Sequence, residues 1–374
     1  MIYLSKIGFP RLRRPSKLAT LLWSFGRKTP PARIPQSPEP ADFEAAAECE
    51  LGSNCCWYMQ PHSLLNSWIS ADRCCFGASR AEHIWPNGLR YLWTDAFGVV
   101  NYVSLFRETG DEKWLEAAEA LVADVYRVLG RPRGLRIGEA PDRGGQYFHY
   151  LAMWMFALAR LGEHRPDYRQ LGIDLVRQVH SAFVLPGTGV LWKTQEDLSG
   201  PWPGYGLGAM DAIDGYVSYR LLGEEELAGE IAEMKAIIDR QYRNLDIDQD
   251  LGLGMMLWLA HFFPDEEWAK VQTNQALENL DLLWTDPPGF FARASYAPHV
   301  RIAFANYGVS IGLQAAEIWP ERVEKLNAYF EQWRSGDEYD REAITWVMAC
   351  SSHMPSAFLN QPRERGSPEA ASIG

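Results

Sequence analysis

The sequence predicts an all-α chain folded as an (α/α)6 barrel, a toroid of six helical hairpins. Three observations carry this. From about Tyr91 onward, segments that are apolar on every side alternate with amphipathic ones. Successive apolar segments are spaced irregularly, roughly 40–60 residues apart, in the range of helical-hairpin repeats. Period-two strand patterns are nearly absent.

The apolar segments are Tyr91–Phe106, Tyr147–Leu161, Gly208–Leu222, Leu251–Phe263, Ile302–Trp319 and Ala343–Cys350. A helix with no polar face must be buried all round, so these are expected to form an inner ring. The amphipathic segments are Asp111–Leu129, Tyr168–Phe183, Glu224–Gln241, Pro264–Trp284 and Pro320–Trp333. In the first, Trp114, Ala118, Leu121, Val125 and Leu129 make one stripe, with Glu112, Glu116, Glu119 and Asp124 off it. Such a stripe covers a core on one side and meets water on the other. A sixth outer helix is expected from residues 42–51 or 63–71. Pro264 and Pro320 stand where outer helices begin. Gly110, Gly130, Gly162 and Gly223 stand where helices end in the left-handed conformation.

The chain of 374 residues is expected to hold one toroid domain over residues 41–360. Ahead of it lies a basic, Pro-rich extension over residues 1–40, expected to be disordered, with a targeting segment as the alternative. Residues 361–374 read as a frayed tail. Residues 1–38 carry eight Lys and Arg and no Asp or Glu; since the whole chain stands at −12, the rest carries −20. An acidic body repels phosphate backbones, which argues against nucleic acid as a partner. The strongest apolar run, Tyr147–Leu161, is interrupted by His149 and Arg160 and is too short to span a bilayer. The body is therefore expected to be soluble, intracellular and without an integral membrane segment. The six cysteines, five of them between Cys49 and Cys75, lack the C-x-x-C spacing of zinc sites and read first as small buried residues.

Three long connections, Arg131–Gln146, Leu185–Tyr205 and Thr285–Arg301, each lead into an apolar segment and should gather at one face. The candidate catalytic residues sit where those segments start. Asp95 lies near the start of the first, where a carboxylate either lines a pocket or caps its own helix. Asp211 and Asp214 open the third; their i, i+3 spacing puts both on one helix face, and two close carboxylates push one pKa upward. Gly144 and Gly145 lead Gln146, Tyr147 and His149 into the second, and His149 can exchange protons near neutral pH. Candidate substrate-binding residues are Trp93, Gln146, Tyr147, Trp192, Lys193, Trp202, Tyr205 and Tyr307; aromatic faces beside polar groups suit sugar rings, although most tryptophans of this chain should fill the core. Gly308–Gly312 matches G-x-S-x-G and Gly204–Ala209 resembles a dinucleotide loop, but no strand precedes either. No H-E-x-x-H and no P-loop is present, and no metal or cofactor is expected.

With Asp95, Gly144-Gly145-Gln146-Tyr147 and Asp211 at inner-helix starts, the alternation over roughly residues 85–355 resembles the six-hairpin glycosidase-like superfamily. The resemblance implies a carbohydrate-active enzyme on a small-molecule or oligosaccharide substrate, with its catalytic groups at the mouth of the inner ring. The first expectation is a glycoside hydrolase pairing Asp211 with Asp95. The second is a sugar epimerase, isomerase or lyase using His149 and Tyr147. A tailoring enzyme on a terpenoid or other non-sugar substrate, and a non-catalytic binding scaffold, are further alternatives.

Overall fold

The computed structural model describes Trp85 and residues 88–284, 303–332 and 343–360, all within one compact unit, Leu65–Gly374. Eleven α-helices occur among the described residues. In chain order they are α1 (Leu92–Thr109), α2 (Lys113–Leu129), α3 (Phe148–Gly162), α4 (Pro166–Phe183), α5 (Asp211–Leu222), α6 (Ala228–Gln241), α7 (Asp250–Ala260), α8 (Glu267–Leu283), α9 (Ala303–Ala315), α10 (Pro320–Gln332) and α11 (Ala343–His353). The odd-numbered helices pack side by side in chain order, and α11 returns against α1 to close a ring of six. Each even-numbered helix packs outside the inner helix that precedes it. This is the (α/α)6 toroid. The sixth outer helix expected from residues 42–51 or 63–71 lies outside the described residues, as do the expected N-terminal extension and C-terminal tail.

Burial follows the sequence pattern. Every residue of α3 except Tyr150 is buried, as is all of α7 after Asp250. On α2 only Leu115, Ala118, Leu121, Val122, Val125 and Leu129 are buried, one stripe facing the ring. Several polar residues inside the ring bond to each other or to backbone. Asn101 on α1 donates to the Val347 carbonyl (3.0 Å), and Ser351 on α11 donates to Asn101 Oδ1 (3.0 Å). Ser218 on α5 donates to the Ala152 carbonyl on α3 (2.9 Å). Cys350, expected to be a small buried residue, is buried and disulfide-bonded.

Helices α7 and α9 touch backbone to backbone. A Cβ on Gly254 would lie 2.5 Å from the Gly308 carbonyl oxygen, and one on Gly312 would lie 2.2 Å from the Gly254 carbonyl oxygen. Gly254→Ala is therefore expected to lower stability by about 1–3 kcal/mol, the cost of overpacking a tight core. Urea unfolding, read as a lower midpoint at unchanged slope, checks it.

The helix ends correct part of the sequence reading. Gly110 does end α1 in the left-handed region, at φ 69°. Gly130 and Gly223 stop their helices in other conformations, and Gly162 belongs to α3, where α4 packs too closely for a side chain. Pro320 opens α10, but Pro264 falls in the turn before α8.

The connections also hold short strands. β1 (Gln146–Tyr147) pairs antiparallel with β4 (Lys193–Thr194), matching Gln146 to Thr194 and Tyr147 to Lys193. β2 (Val184–Leu185) pairs with β3 (Gly189–Val190). Two-residue strands are too short to leave an alternating pattern in a sequence. The third long connection, Thr285–Arg301, lies outside the described residues.

Candidate active site

Each of the first five inner helices is followed by an outer one that runs back, so their N-termini share one end of the ring. At that end, α1, α3 and α5 bring together Trp93, Tyr147, His149, Asp211 and Asp214. The centre is a buried pair: His149 Nδ1 lies 2.7 Å from Asp214 Oδ2. The bond orients the ring and leaves Nε2 as the nitrogen free to face a reactant. Burial alone would lower the His149 pKa. The Asp214 charge and hydrogen bond, joined by the Asp211 charge, outweigh burial and hold it above 6.5.

Asp211 is buried one helical turn before Asp214. Burial first, and the Asp214 charge second, push its carboxyl well above the usual carboxylate range; His149 and nearby backbone N–H groups pull the other way without cancelling them. Asp211 therefore holds its proton more tightly than an ordinary carboxyl does, beside the His149–Asp214 pair. Asp211 Oδ1, Asp214 Oδ1 and the Trp93 Nε1–H are all buried with no hydrogen-bond partner. Unmet polar groups cost free energy, about 1–3 kcal/mol each, which a hydroxyl-rich ligand can recover.

Aromatic rings surround the pair. Trp93 lies tilted at 5.0 Å from His149, measured between ring centroids, and Tyr147 lies at 5.9 Å. Tyr147 contacts Trp192 at 5.1 Å, and Trp192 contacts Tyr205 at 4.7 Å. Lys193 Nζ lies over Trp202 at 4.0 Å and Tyr205 at 5.3 Å. Burial, and then the Asp211 charge, push the Tyr147 hydroxyl well above its ordinary range, so it stays protonated.

Three expected site residues are placed elsewhere. Asp95 is buried and turned toward α2. Its Oδ1 accepts from Trp85 Nε1–H (3.2 Å) and lies 3.3 Å from Arg90 Nη1, while its Oδ2 accepts the Tyr91 backbone N–H (3.2 Å). The last bond caps its own helix. Gln146 spends its whole amide on backbone: Nε2 donates to the carbonyls of Arg133 and Glu196 (both 2.7 Å), and Oε1 accepts the Leu135 N–H (3.0 Å). It ties two connections together. Tyr307, on α9, packs against Phe330 and His353.

Other groups the sequence did not mark support the site. Glu196 pairs with Arg131 and Arg136 (both 2.9 Å) and accepts the Gly145 N–H (3.4 Å), fixing the turn that leads to Tyr147. Tyr91 and Tyr150 join hydroxyls, and Arg143 lies 3.9 Å over the Tyr91 ring. A cavity of about 860 Å³ opens at the other end of the ring, among Arg107, His164, His261, Gln314, Ser356 and Asn360. α3 alone has 15 residues, which separates the two ends by about 22 Å. There His261 is saturated, Nδ1 bonding the Trp258 carbonyl and Nε2 accepting the Asn360 N–H (2.9 Å). Among the described residues lining that cavity, no imidazole is hydrogen-bonded to a carboxylate as His149 is to Asp214. Among the described residues, no group of three or more His, Cys, Asp or Glu is placed to hold a metal ion, and no helix is long and apolar enough to cross a membrane.

No family model and no curated protein matches the sequence. Solved structures do. A D-mannose isomerase aligns at TM-score 0.54 and 10% identity, covering 73% of this chain and 88% of its own. Cellobiose 2-epimerase from Bacillus thermoamylovorans B4167 aligns at TM-score 0.53 and 10% identity, covering 72% and 88%. Cellobiose 2-epimerase from Spirochaeta thermophila DSM 6192 aligns at 0.50 and 14%, covering 73% and 87%. At these identities the likeness establishes the fold, the six-hairpin toroid that the sequence resemblance implied.

Proposed function

We propose that this protein is a sugar isomerase or epimerase, the second of the sequence expectations. The observation that carries the reading is the buried His149–Asp214 pair beside the buried carboxyl of Asp211, whose pKa is raised. The similar structures, a D-mannose isomerase and two cellobiose 2-epimerases, point the same way.

In this reading an open-chain sugar places its C2–H at His149 Nε2 and its carbonyl oxygen at Asp211. His149 takes the C2 proton. The C–H electron pair becomes the C1=C2 bond of an enediol, and the carbonyl oxygen takes the Asp211 proton. Delivery of a proton from His149, which can exchange with solvent, to C1, with the O2 proton going back to Asp211, gives the ketose. If the enediol turns its other face to His149, delivery of the imidazolium proton to C2, with the O1 proton going back to Asp211, gives the epimer. Asp214 holds the imidazolium through Nδ1–H, and Tyr147 stays a hydrogen-bond donor.

The glycoside hydrolase expectation needed Asp95 as partner to Asp211, and both Asp95 oxygens are engaged by Trp85, Arg90 and the helix start. The binding-scaffold alternative needed all three aspartates structurally satisfied, and Asp211 and Asp214 each keep an unbonded oxygen.

The test is incubation of a panel of aldoses, ketoses and β-linked disaccharides in D2O, read by NMR and mass spectrometry. Deuterium entering C1 or C2 without cleavage, and lost in Asp211→Asn, is the expected result. Cleaved products that gain water, with no exchange at carbon, would return the reading to hydrolysis.

A further inference from the structure

The proposed chemistry leaves two cations at the mouth unexplained. Arg143 and Lys193 make no ion pair and no side-chain hydrogen bond among the described residues. Arg143 lies over Tyr91 at 3.9 Å, and Lys193 lies over Trp202 and Tyr205 at 4.0 and 5.3 Å. Their neighbours behave otherwise: Arg131 and Arg136 share Glu196, and Arg90 pairs with Asp95.

Both cations border one turn. Arg143 stands two residues before Gly145, so their Cα atoms are at most about 7.6 Å apart. A Cβ on Gly145, where φ is +85°, would lie 2.8 Å from Lys193 Cε and 2.7 Å from the Trp202 ring. Side chain and indole therefore lie directly over the glycine. Lys193 is also the register partner of Tyr147 across β1 and β4. The acids facing Lys193 are Asp142, which is exposed, and Glu196, already shared by two arginines. Burial is the largest influence on the Lys193 amine and lowers its pKa. The N-termini of α1, α3 and α5 lie at this same end of the ring, and their dipoles add a positive field.

We propose that the substrate carries an anionic group, a phosphate or a carboxylate, remote from its reacting carbons, and that Lys193 and Arg143 receive it. The proposal rests on the isomerase reading for where the sugar lies. From His149 the ring contacts run through Tyr147, Trp192 and Tyr205 to Lys193. A sugar along that row puts its carbonyl end against His149 and Asp211 and its far end against the cations. The acidic and basic ends of the site are thus kept apart. A sugar phosphate or a uronic acid satisfies both; a neutral sugar leaves the cations unmatched.

Calorimetric titration of the full chain with mannose, mannose 6-phosphate, glucuronate and inorganic phosphate tests this, alongside Lys193→Gln, Lys193→Arg and Arg143→Gln. Thermal unfolding shows that each variant folds. The expected result is that one anionic sugar binds about 10-fold or more tightly than mannose, the scale of one charged hydrogen bond. The advantage should shrink in Lys193→Gln and Arg143→Gln, persist in Lys193→Arg, and weaken with salt. Mannose 6-phosphate with inorganic phosphate as competitor assigns a phosphate; glucuronate alone assigns a carboxylate. Mannose binding as tightly as either anion, or an advantage that survives in both neutral variants, overturns the proposal. Anion binding that depends on Lys193 without hydrogen exchange at sugar carbon keeps the anion site and removes the isomerase reading. Exchange on mannose with no preference for anions does the reverse.

Discussion

His149→Gln is expected to slow hydrogen exchange at sugar C2 by about 10²–10⁴-fold, the usual contribution of a positioned general base. The amide fits the imidazole's space but cannot take a proton, so substrate affinity should change far less than turnover. Asp214→Asn tests the pair more finely. The neutral imidazole is the base, so rate rises as pH climbs through the His149 pKa. In the wild type Asp214 holds that pKa above 6.5. Without the charge, burial is the largest remaining influence and it lowers the pKa. The acidic limb of the pH profile should therefore move to lower pH while the maximum rate falls. A loss of rate with the limb unmoved would mean that His149 is not the titrating base, and would leave Asp214 with a structural role alone.

Much of this site could be read from the sequence, and the reasons are geometric. Asp211 and Asp214 are one helical turn apart at the start of an apolar helix, so they had to share a face. His149 opens another apolar helix, and the toroid brings all such starts to one end. The failures have equally physical causes. Trp93 and Asp95 are two residues apart on a helix, about 200° around its axis, so only one could face His149. The sequence does not show which, because the partners that claim Asp95 are Trp85 and Arg90, outside its helix. Gln146 reads as a polar residue at a pocket mouth, yet its amide binds three backbone groups. Such bonds depend on how two connections meet, and β1 and β4 are too short to announce it. The pairing of Glu196 with Arg131 and Arg136 was hidden for the same reason.

Asp95 carries the largest stability prediction, and it separates fold from function. Burial raises its carboxyl from 3.8 to about 6; the Arg90 charge, the Trp85 bond and the Tyr91 N–H oppose that rise without cancelling it. A carboxyl whose pKa is raised on folding contributes stability that is complete below pH 3.8 and lost as pH climbs through about 6. The rise from 3.8 to about 6 corresponds to about 3 kcal/mol between those limits. Asn keeps the shape but does not titrate, so Asp95→Asn should gain stability relative to wild type by about that amount as pH rises from 4 to 7. Asp95→Ala differs, because it strips a buried carboxylate from Arg90 and removes the acceptor of the Trp85 Nε1–H bond. It is expected to cost about 3 kcal/mol at pH 7, toward the low end for a broken buried pair, since Asp124 stands 3.6 Å from Arg90 and can share its charge. Urea unfolding of both variants across pH reads these values. In the folded fraction of each, exchange at sugar carbon should stay within a few-fold of wild type, since Asp95 faces α2 and not His149. A 100-fold loss of exchange in folded Asp95→Asn would bring Asp95 back into the chemistry and favour the two-carboxylate hydrolase over the imidazole-centred isomerase.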